Sequence, residues 1–426
     1  MRRVVVTGLG VVAPNGTGVG AFEAALREGR SGLRRNERMV EQGFACHVAG
    51  VPEGVEAAAE RLFDESDLVA MNSSHRFASV AAIEAWTDAG LARPGSNGAP
   101  DWDSGAILGT GIGGMDTIGE RVVPLVDGKK VRRLGSTVVE QVMASGISAR
   151  ISGLLALGNQ VTTNSSACST GTEAIVEGLY RIRSGRARRM LCGGAEGASH
   201  YIWAGFDAMR VLCRTHNEAP EKASRPMSAS AGGFIPGSGA GVLLLEDLDS
   251  ALARGARIHA EIAGGAVNCG GHRGGGSMTA PNPDGVRRCV RAALDDAGTS
   301  PAAVDAISGH LTATGADPGE VASWAAALER QPSNLPAITS TKSMIGHALG
   351  AAGAIESVAA VLMVARGFVH PSINCEDVHP EIEPYARSIP HELREMPNLD
   401  VLVKAGFGFG DVNACIVVRK WEPSRT

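Results

Sequence analysis

Four side chains in this 426-residue chain have the types and settings for acyl chemistry: Cys168, His310, Lys342 and His347. Cys168 lies in Asn164-Ser165-Ser166-Ala167-Cys168-Ser169-Thr170-Gly171, where small residues let the backbone approach closely. The run Thr172 to Ser184 follows, with Ala174, Ile175, Leu179 and Ile182 at helical spacing. A cysteine at such a strand-to-helix turn faces unpaired amides and the positive end of the helix dipole, which favour thiolate over thiol. His310 stands in Ser308-Gly309-His310-Leu311-Thr312-Ala313-Thr314, just past a strand-like run, while Lys342 and His347 lie in the turn before an apolar helical run. A thiolate accepts acyl groups well, and two imidazoles donating to one carbonyl oxygen stabilise an enolate without transfer of a full charge. The set therefore suits thioester chemistry, provided the fold brings it together.

The length is that of roughly two to three domains, and 44% hydrophobic residues are ample for a large core. A net charge of −5 gives no general attraction to nucleic acid. No run of about 18 apolar residues is read as membrane-spanning, and Met1-Arg2-Arg3-Val4 enters a strand without a signal-peptide pattern, so a cytoplasmic protein is expected. Eight cysteines (46, 168, 192, 213, 269, 289, 375 and 415) contain no Cys-x-x-Cys pair, which suits a reducing compartment. Cys269-x-x-His272 has metal-like spacing but no second half, and no metal is expected. Fifty-six glycines beside 4% aromatics imply tight turns and close backbone packing.

Several elements must position these residues. Val4–Val6 reads as a strand, and Gly8-Leu9-Gly10-Val11-Val12-Ala13 matches a dinucleotide fingerprint, but Pro14-Asn15-Gly16 follows where a helix should start. A loop without nucleotide binding is expected there. Helices are expected over Ala21–Glu28 and Arg76–Ala89, with a mixed excursion over 31–70 between them. Ala106–Leu108 reads as a buried strand, and Gly109 to Gly114 as a loop that lacks the Gly-Lys-Ser/Thr ending of a phosphate loop. Lys129, Lys130, Arg132 and Arg133 form a basic patch that is either a solvated loop or a dock for an acidic partner. Met190–Cys192 reads as a strand, and Phe234–Leu245 as a strand pair. From about residue 256 the order of elements restarts: strand Ile258–Ala263, helix Gly285–Ala297, strand Ala306–Ser308, then a turn and the helix Gly350–Val364. Two halves are expected, 1–255 carrying Cys168 and 256–426 carrying His310, Lys342 and His347.

The motifs carry a family resemblance. Val161 to Gly171 resembles the nucleophile motif of β-ketoacyl-acyl-carrier-protein synthases, and Gly309–Thr314 resembles their first histidine motif. Ser340-Thr341-Lys342-Ser343 through Gly346-His347 to Glu356 is similar to the lysine and second-histidine motif. Gly406-Phe407-Gly408-Phe409-Gly410-Asp411-Val412-Asn413 resembles the family's glycine–phenylalanine gate. The four motifs fall in order, and the likeness runs from Val4 to about Val418.

The resemblance implies an α/β protein of the thiolase fold, five layers (α-β-α-β-α) built from two pseudo-duplicated halves, and a decarboxylative Claisen condensation without cofactor. In it Cys168 would take an acyl group from an acyl carrier protein, and His310 and His347 would hold the malonyl thioester carbonyl as CO2 leaves. Backbone amides of Cys168 and Phe409 would form the oxyanion hole, with Phe409 also a gate; Lys342 would act on the His310 region and Glu356 would support Lys342. Ile112, Leu311, Thr312, Thr314 and Thr279 would delimit the substrate pocket, and Lys129, Lys130 and Arg210 would dock the carrier protein. A dimer is implied, either a homodimer or a heterodimer with a chain-length-factor-like subunit.

Several positions depart from the family pattern. Leu311 replaces a glycine and should reshape the pocket wall; the stretch up to Asp317 is one residue short; Ser228-Ala229-Ser230-Ala231 replaces a charged turn; Ser238 replaces an acidic residue; Asp411 puts a carboxylate near the chemistry. These point to a type II polyketide ketosynthase more than to housekeeping fatty-acid elongation. A coenzyme A thiolase would need a second cysteine as base, and Cys415 lies beyond the gate; a non-catalytic chain-length subunit would not need Cys168, His310 and His347.

Overall fold

The computed structural model describes residues 2–95 and 97–423. Ten strands run along one hydrogen-bonded path: β1 (Val4–Ala13), β2 (Ser104–Gly109), β3 (Val161–Thr162), β4 (Arg189–Glu196), β5 (Gly239–Asp247), β6 (Ala260–Cys269), β7 (Ala306–Ser308), β8 (Ala337–Thr339), β9 (Val401–Gly408) and β10 (Val412–Lys420). Their spatial order is β8-β7-β9-β10-β6-β1-β5-β4-β2-β3, with the short strand Gly16–Thr17 paired to β1. Read outward from the centre, the first half runs β1-β5-β4-β2-β3 and the second β6-β10-β9-β7-β8. In both halves the first two pairings are antiparallel and the outer two parallel. One topology is thus used twice, joined by the short antiparallel pairing of Val5 and Val6 with Glu261 and Ala260.

Five helices fill the layers: α1 (Ser73–Asp88), α2 (Thr170–Arg183), α3 (Pro283–Asp296), α4 (Asp317–Ala327) and α5 (Ala352–Arg366). Helix α1 covers the outer face of the first half, α3 and α4 cover that of the second, and α2 and α5 pack together between the halves. The layers are therefore α-β-α-β-α, as the resemblance implies. Helix α5 is buried from Ala352 through Val364. The stretch Leu349–Arg366 has a mean hydropathy of 1.5 and meets the length and composition of a membrane span, so the sequence reading that no run qualifies was too strict. Its window is 89% buried, and its apolarity belongs to a core helix packed on all sides.

The Gly8–Ala13 run continues β1, and the chain then turns at Pro14-Asn15, in the loop expected there. Gly10 lets helix α1 lie against the strand, since a Cβ there would fall 1.8 Å from the Ala81 carbonyl oxygen. Phe234–Leu245 is one strand from Gly239 onward; Phe234 and Pro236 make only isolated bridges, to Leu212 and to His347.

Candidate active site

The site forms where α2 and α5 begin. A Cβ on Gly171 would lie 2.5 Å from the Ala354 nitrogen, so the crossing requires glycine and brings the two helix starts together. Cys168 sits in a single 3-10 turn, Ala167–Ser169, and His347 precedes the turn that leads into α5. Ala167 adopts a left-handed φ of 50°, a strained conformation for a residue with a Cβ. The turn is held by Thr170 Oγ1, which accepts from the Ser166 amide at 2.8 Å and donates to the Ala167 carbonyl at 2.7 Å. Ser169 Oγ reaches the carbonyls of Gly406 and Val412, at 3.0 and 2.9 Å, tying the Cys168 turn to β9 and β10.

The four chemistry-bearing residues converge. His347 Nε2 lies 3.1 Å from Cys168 Sγ, and the His310 and His347 rings are 5.3 Å apart and nearly perpendicular. The Leu349 amide donates to His347 Nδ1 at 3.2 Å, which leaves the ring proton of the neutral imidazole on Nε2. Lys342 Nζ lies 3.4 Å from His310 Nδ1 and donates to the His310 carbonyl at 2.6 Å, so His310 too presents Nε2–H. Lys342 also pairs with Glu356, both residues being buried. Burial, reinforced by Lys342, holds both imidazoles well below the ordinary histidine range, so they are neutral at physiological pH.

The thiol departs from the sequence expectation. Burial pushes the Cys168 thiol up to about 11, and the smaller opposing effects of the Lys342 ammonium and the Phe409 amide do not reverse it. The helix start alone does not make a resting thiolate, because the sulfur loses more solvation than a turn of backbone dipoles restores. Cys168 Sγ, His310 and His347 place their polar atoms within 4.8 Å of one another.

A cavity of about 210 Å³ opens on the sulfur, lined by Phe206, Phe234, Thr279, Thr312, Thr314 and Phe409 among others. It is smaller than the roughly 300–1,000 Å³ pockets that enclose drug-sized ligands, so it suits a narrow thioester chain. Thr279, Thr312, Thr314 and Phe409 thus reach the cavity, whereas two other pocket candidates do not. Leu311 is fully buried in the core beneath α3 and α4, with Val321 and Trp324 in the same cluster. Ile112 packs with Met115, Trp203 and Leu349, its amide donating to Glu196. Asp411 points away as well: its carboxylate accepts from the amides of Asn282 and His272, at 2.8 and 3.0 Å, and so fastens the 270–282 loop beside the cavity. Lys129, Lys130 and Arg210 are exposed on the surface.

Sequence reasoning missed the carboxylates that hold the histidine loop. Glu320 on α4 accepts from the amides of His310 and Leu311, at 2.6 and 2.8 Å, and from Trp324 Nε1 at 3.2 Å. Asp317 accepts from Thr312 and Ala313, at 2.9 and 3.1 Å. Their signal was an acidic pair three residues apart at a helix start directly after the His310 motif. Glu196 does the equivalent work in the first half, accepting from Gly111, Ile112 and Gly350.

With that geometry in place, comparisons with known proteins agree on the family. Residues 1–251 match the family model for the N-terminal domain of beta-ketoacyl synthase, and residues 259–376 the C-terminal domain. The 3-oxoacyl-[acyl-carrier-protein] synthase 2 of Synechocystis sp. is 35% identical over 428 residues, covering 99% of each chain. Among solved structures, the ishigamide ketosynthase/chain length factor superposes with a TM-score of 0.89 at 32% identity, covering 99% of this chain and 100% of that one. A type II polyketide acyl-carrier protein in complex with its ketosynthase bound to the hexaketide gives a TM-score of 0.86 at 30% identity, with coverage of 99% and 100%.

Proposed function

This chain belongs to the β-ketoacyl synthase family, an acyltransferase family, and from that premise we propose that it carries out decarboxylative condensation in a type II polyketide pathway. Cys168 attacks the thioester carbonyl of a carrier-bound acyl group, with the amides of Cys168 and Phe409 holding the oxyanion. The carrier thiol leaves with the proton, and an acyl-cysteine remains. A malonyl thioester then enters with its carbonyl oxygen between His310 Nε2–H and His347 Nε2–H. The bond to its carboxylate breaks, CO2 departs, and the electron pair becomes an enolate held by the two donors. The enolate carbon attacks the acyl-cysteine carbonyl, the C–S bond breaks with Cys168 leaving as the thiolate and regaining a proton from solvent, and a β-ketoacyl thioester leaves on the carrier.

The observation that carries this reading is the meeting of Cys168 Sγ with two neutral imidazoles whose Nδ1 atoms both face other donors. Phe409 supports its role from the cavity wall, and Glu356 supports Lys342. Lys129, Lys130 and Arg210 offer exposed cations for an acidic carrier protein. A dimer, homomeric or with a chain-length-factor-like partner, is supported by the exposed Val123, Val126, Val131 and Val139, apolar side chains that a subunit contact would cover. The halves 1–255 and 256–426 are read as the two copies of the repeated topology, in a cytoplasmic enzyme.

Fatty-acid elongation is the second reading, favoured by the identity with the Synechocystis 3-oxoacyl-[acyl-carrier-protein] synthase 2. Intact-mass spectrometry of the purified protein with acyl- and malonyl-loaded carrier protein tests both. An acyl adduct on Cys168 with an elongated β-ketoacyl carrier, made from saturated primers of many lengths by this chain alone, supports elongation by a homodimer. An adduct with elongation only after a partner chain is added supports the polyketide heterodimer. No adduct under either condition overturns the ketosynthase reading for Cys168.

A further inference from the structure

Lys404, on β9, is fully buried and has no part in the roles assigned above. Its Nζ donates to Thr172 Oγ1, in the first turn of α2, at 2.6 Å. It also lies 3.2 Å from Glu356 Oε2, in ion-pair range though off the direction of a good hydrogen bond. Glu356 is thus flanked by two ammonium groups, Lys342 on one oxygen and Lys404 on the other. Two cations against one anion leave a surplus positive charge in a dry interior.

That charge lies close to the backbone of the turn that carries Cys168. A methyl built on Gly406 would lie 3.4 Å both from the Cys168 carbonyl oxygen and from Lys404 Nζ, so the two atoms are within about 7 Å of each other. At such range in a partly desolvated site, a unit charge acts on neighbouring protonation with roughly kilocalorie strength. We propose that Lys404 is a positioning residue of the reaction: its ammonium charge, lodged against Glu356 and the start of α2, favours the thiolate of Cys168 and holds His310 and His347 as neutral Nε2–H donors.

The other charged or titratable groups that face this centre are Lys342, from the turn before α5, Glu356 on α5, Glu196 at the end of β4, Glu320 on α4 and Cys415 on β10. Glu196 and Glu356 oppose Lys342 at Cys168, and Lys404, the second ammonium beside Glu356, stands on the side of Lys342. Lys404 acts on both imidazoles in the same direction as Lys342. The inference takes Cys168 as the nucleophile, but its test reads the thiol itself and needs no carrier protein or condensation.

The experiment is the pH profile of Cys168 alkylation by iodoacetamide, followed by intact mass on the full-length protein, with peptide mapping to separate Cys168 from exposed Cys269. Lys404→Met should move the profile about one pH unit upward, a roughly tenfold lower rate at any pH below the thiol's pKa. The double variant Lys404→Met/Glu356→Gln removes one cation and one anion, restores the surplus of one positive charge, and should bring the profile back toward that of the parent. A structural role predicts no such return. A Lys404→Met profile that superimposes on the parent's, in a protein with unchanged melting temperature, overturns the proposal. So does a double variant that stays with the single. Should Lys404→Met not fold, Thr172→Val keeps the charge and removes its hydrogen bond: an unshifted profile is expected, and an upward shift of similar size would mean that the bond rather than the charge matters.

Discussion

The two halves of the molecule share a strand order and differ in the side chains they bring to the site. In the first, the chain leaves β3, makes one strained 3-10 turn and presents Cys168 at the start of α2. In the second, the chain leaves β8 through the short helical turn Lys342–Ile345, reverses at Gly346 with φ 69°, and presents His347 before α5. The same corner of the repeated topology supplies Cys168 in one half and His347 with Lys342 in the other. The loops after β2 and β7 diverge in parallel fashion: the first offers glycine amides to Glu196, and the second carries His310 and offers its amides to Glu320. Duplication thus provides two helix starts that meet at one point, and on the proposed mechanism their side-chain differences separate acylation from decarboxylation.

The separation can be broken one half at a time, and this carries the largest expected effects. Cys168→Ala removes the first half's contribution and should abolish acyl transfer entirely, read as loss of the mass adduct. His347→Ala and His310→Ala each remove one carbonyl donor, and should lower condensation by about 10²–10³-fold, the loss typical of one oxyanion donor. The acyl adduct should still form in both. Histidine variants that condense at the parent's rate, or that lose the adduct as completely as Cys168→Ala, would mean the two halves do not divide the reaction in this way.

Leu311 sharpens the comparison at the level of packing, with an effect on stability rather than on chemistry. It sits next to His310 in sequence yet faces the second half's core. Leu311→Ala should cost about 2–5 kcal/mol, the range for deleting a buried leucine side chain, measured by denaturant unfolding. The chain lengths produced should stay those of the parent. A changed product spectrum at unchanged stability would return Leu311 to the pocket wall.

This case also shows what the sequence could carry. Cys168, His310, Lys342 and His347 were legible because their residue types are rare in such glycine-rich turns and because the order of elements restarts near residue 256. The inward turn of Leu311 and Asp411 was not, since a substitution in a motif marks a position but not the side its side chain takes. Both residues adopt positive φ, at 25° and 60°, which swings the side chain away from the path that an extended backbone would give. Lys404 was hidden for a different reason: in Val401-Leu402-Val403-Lys404-Ala405 a lone lysine reads as the solvated face of a strand, and only the tertiary fold supplies the buried Glu356 that accommodates it. The thiol's high pKa was likewise set by burial, a property of the assembled layers and not of the turn.

The smallest effect separates the carboxylates that anchor the loops of the two halves. Burial raises both Glu196 and Glu320, and for Glu320 the carboxyl rises to about 7 from an ordinary 4.5, with Asp317 adding to the rise. Between those two pH values the folded chain keeps a proton on Glu320 that the unfolded chain has released. Glu320 therefore contributes stability that is fully present below about 4.5 and is lost as pH rises through about 7. Glu320→Gln, which does not titrate, removes that slope. Melting curves between pH 5 and pH 8 should show the parent losing stability relative to the variant by on the order of 1–3 kcal/mol as pH increases. The sign does not depend on the cost of replacing one oxygen by an amide, because that cost is the same at every pH. Equal slopes for parent and variant would place Glu320 outside the titration, as an ionised carboxylate held by its three N–H donors throughout; the second half's anchor would then be a fixed charge, with no proton to lose across this range.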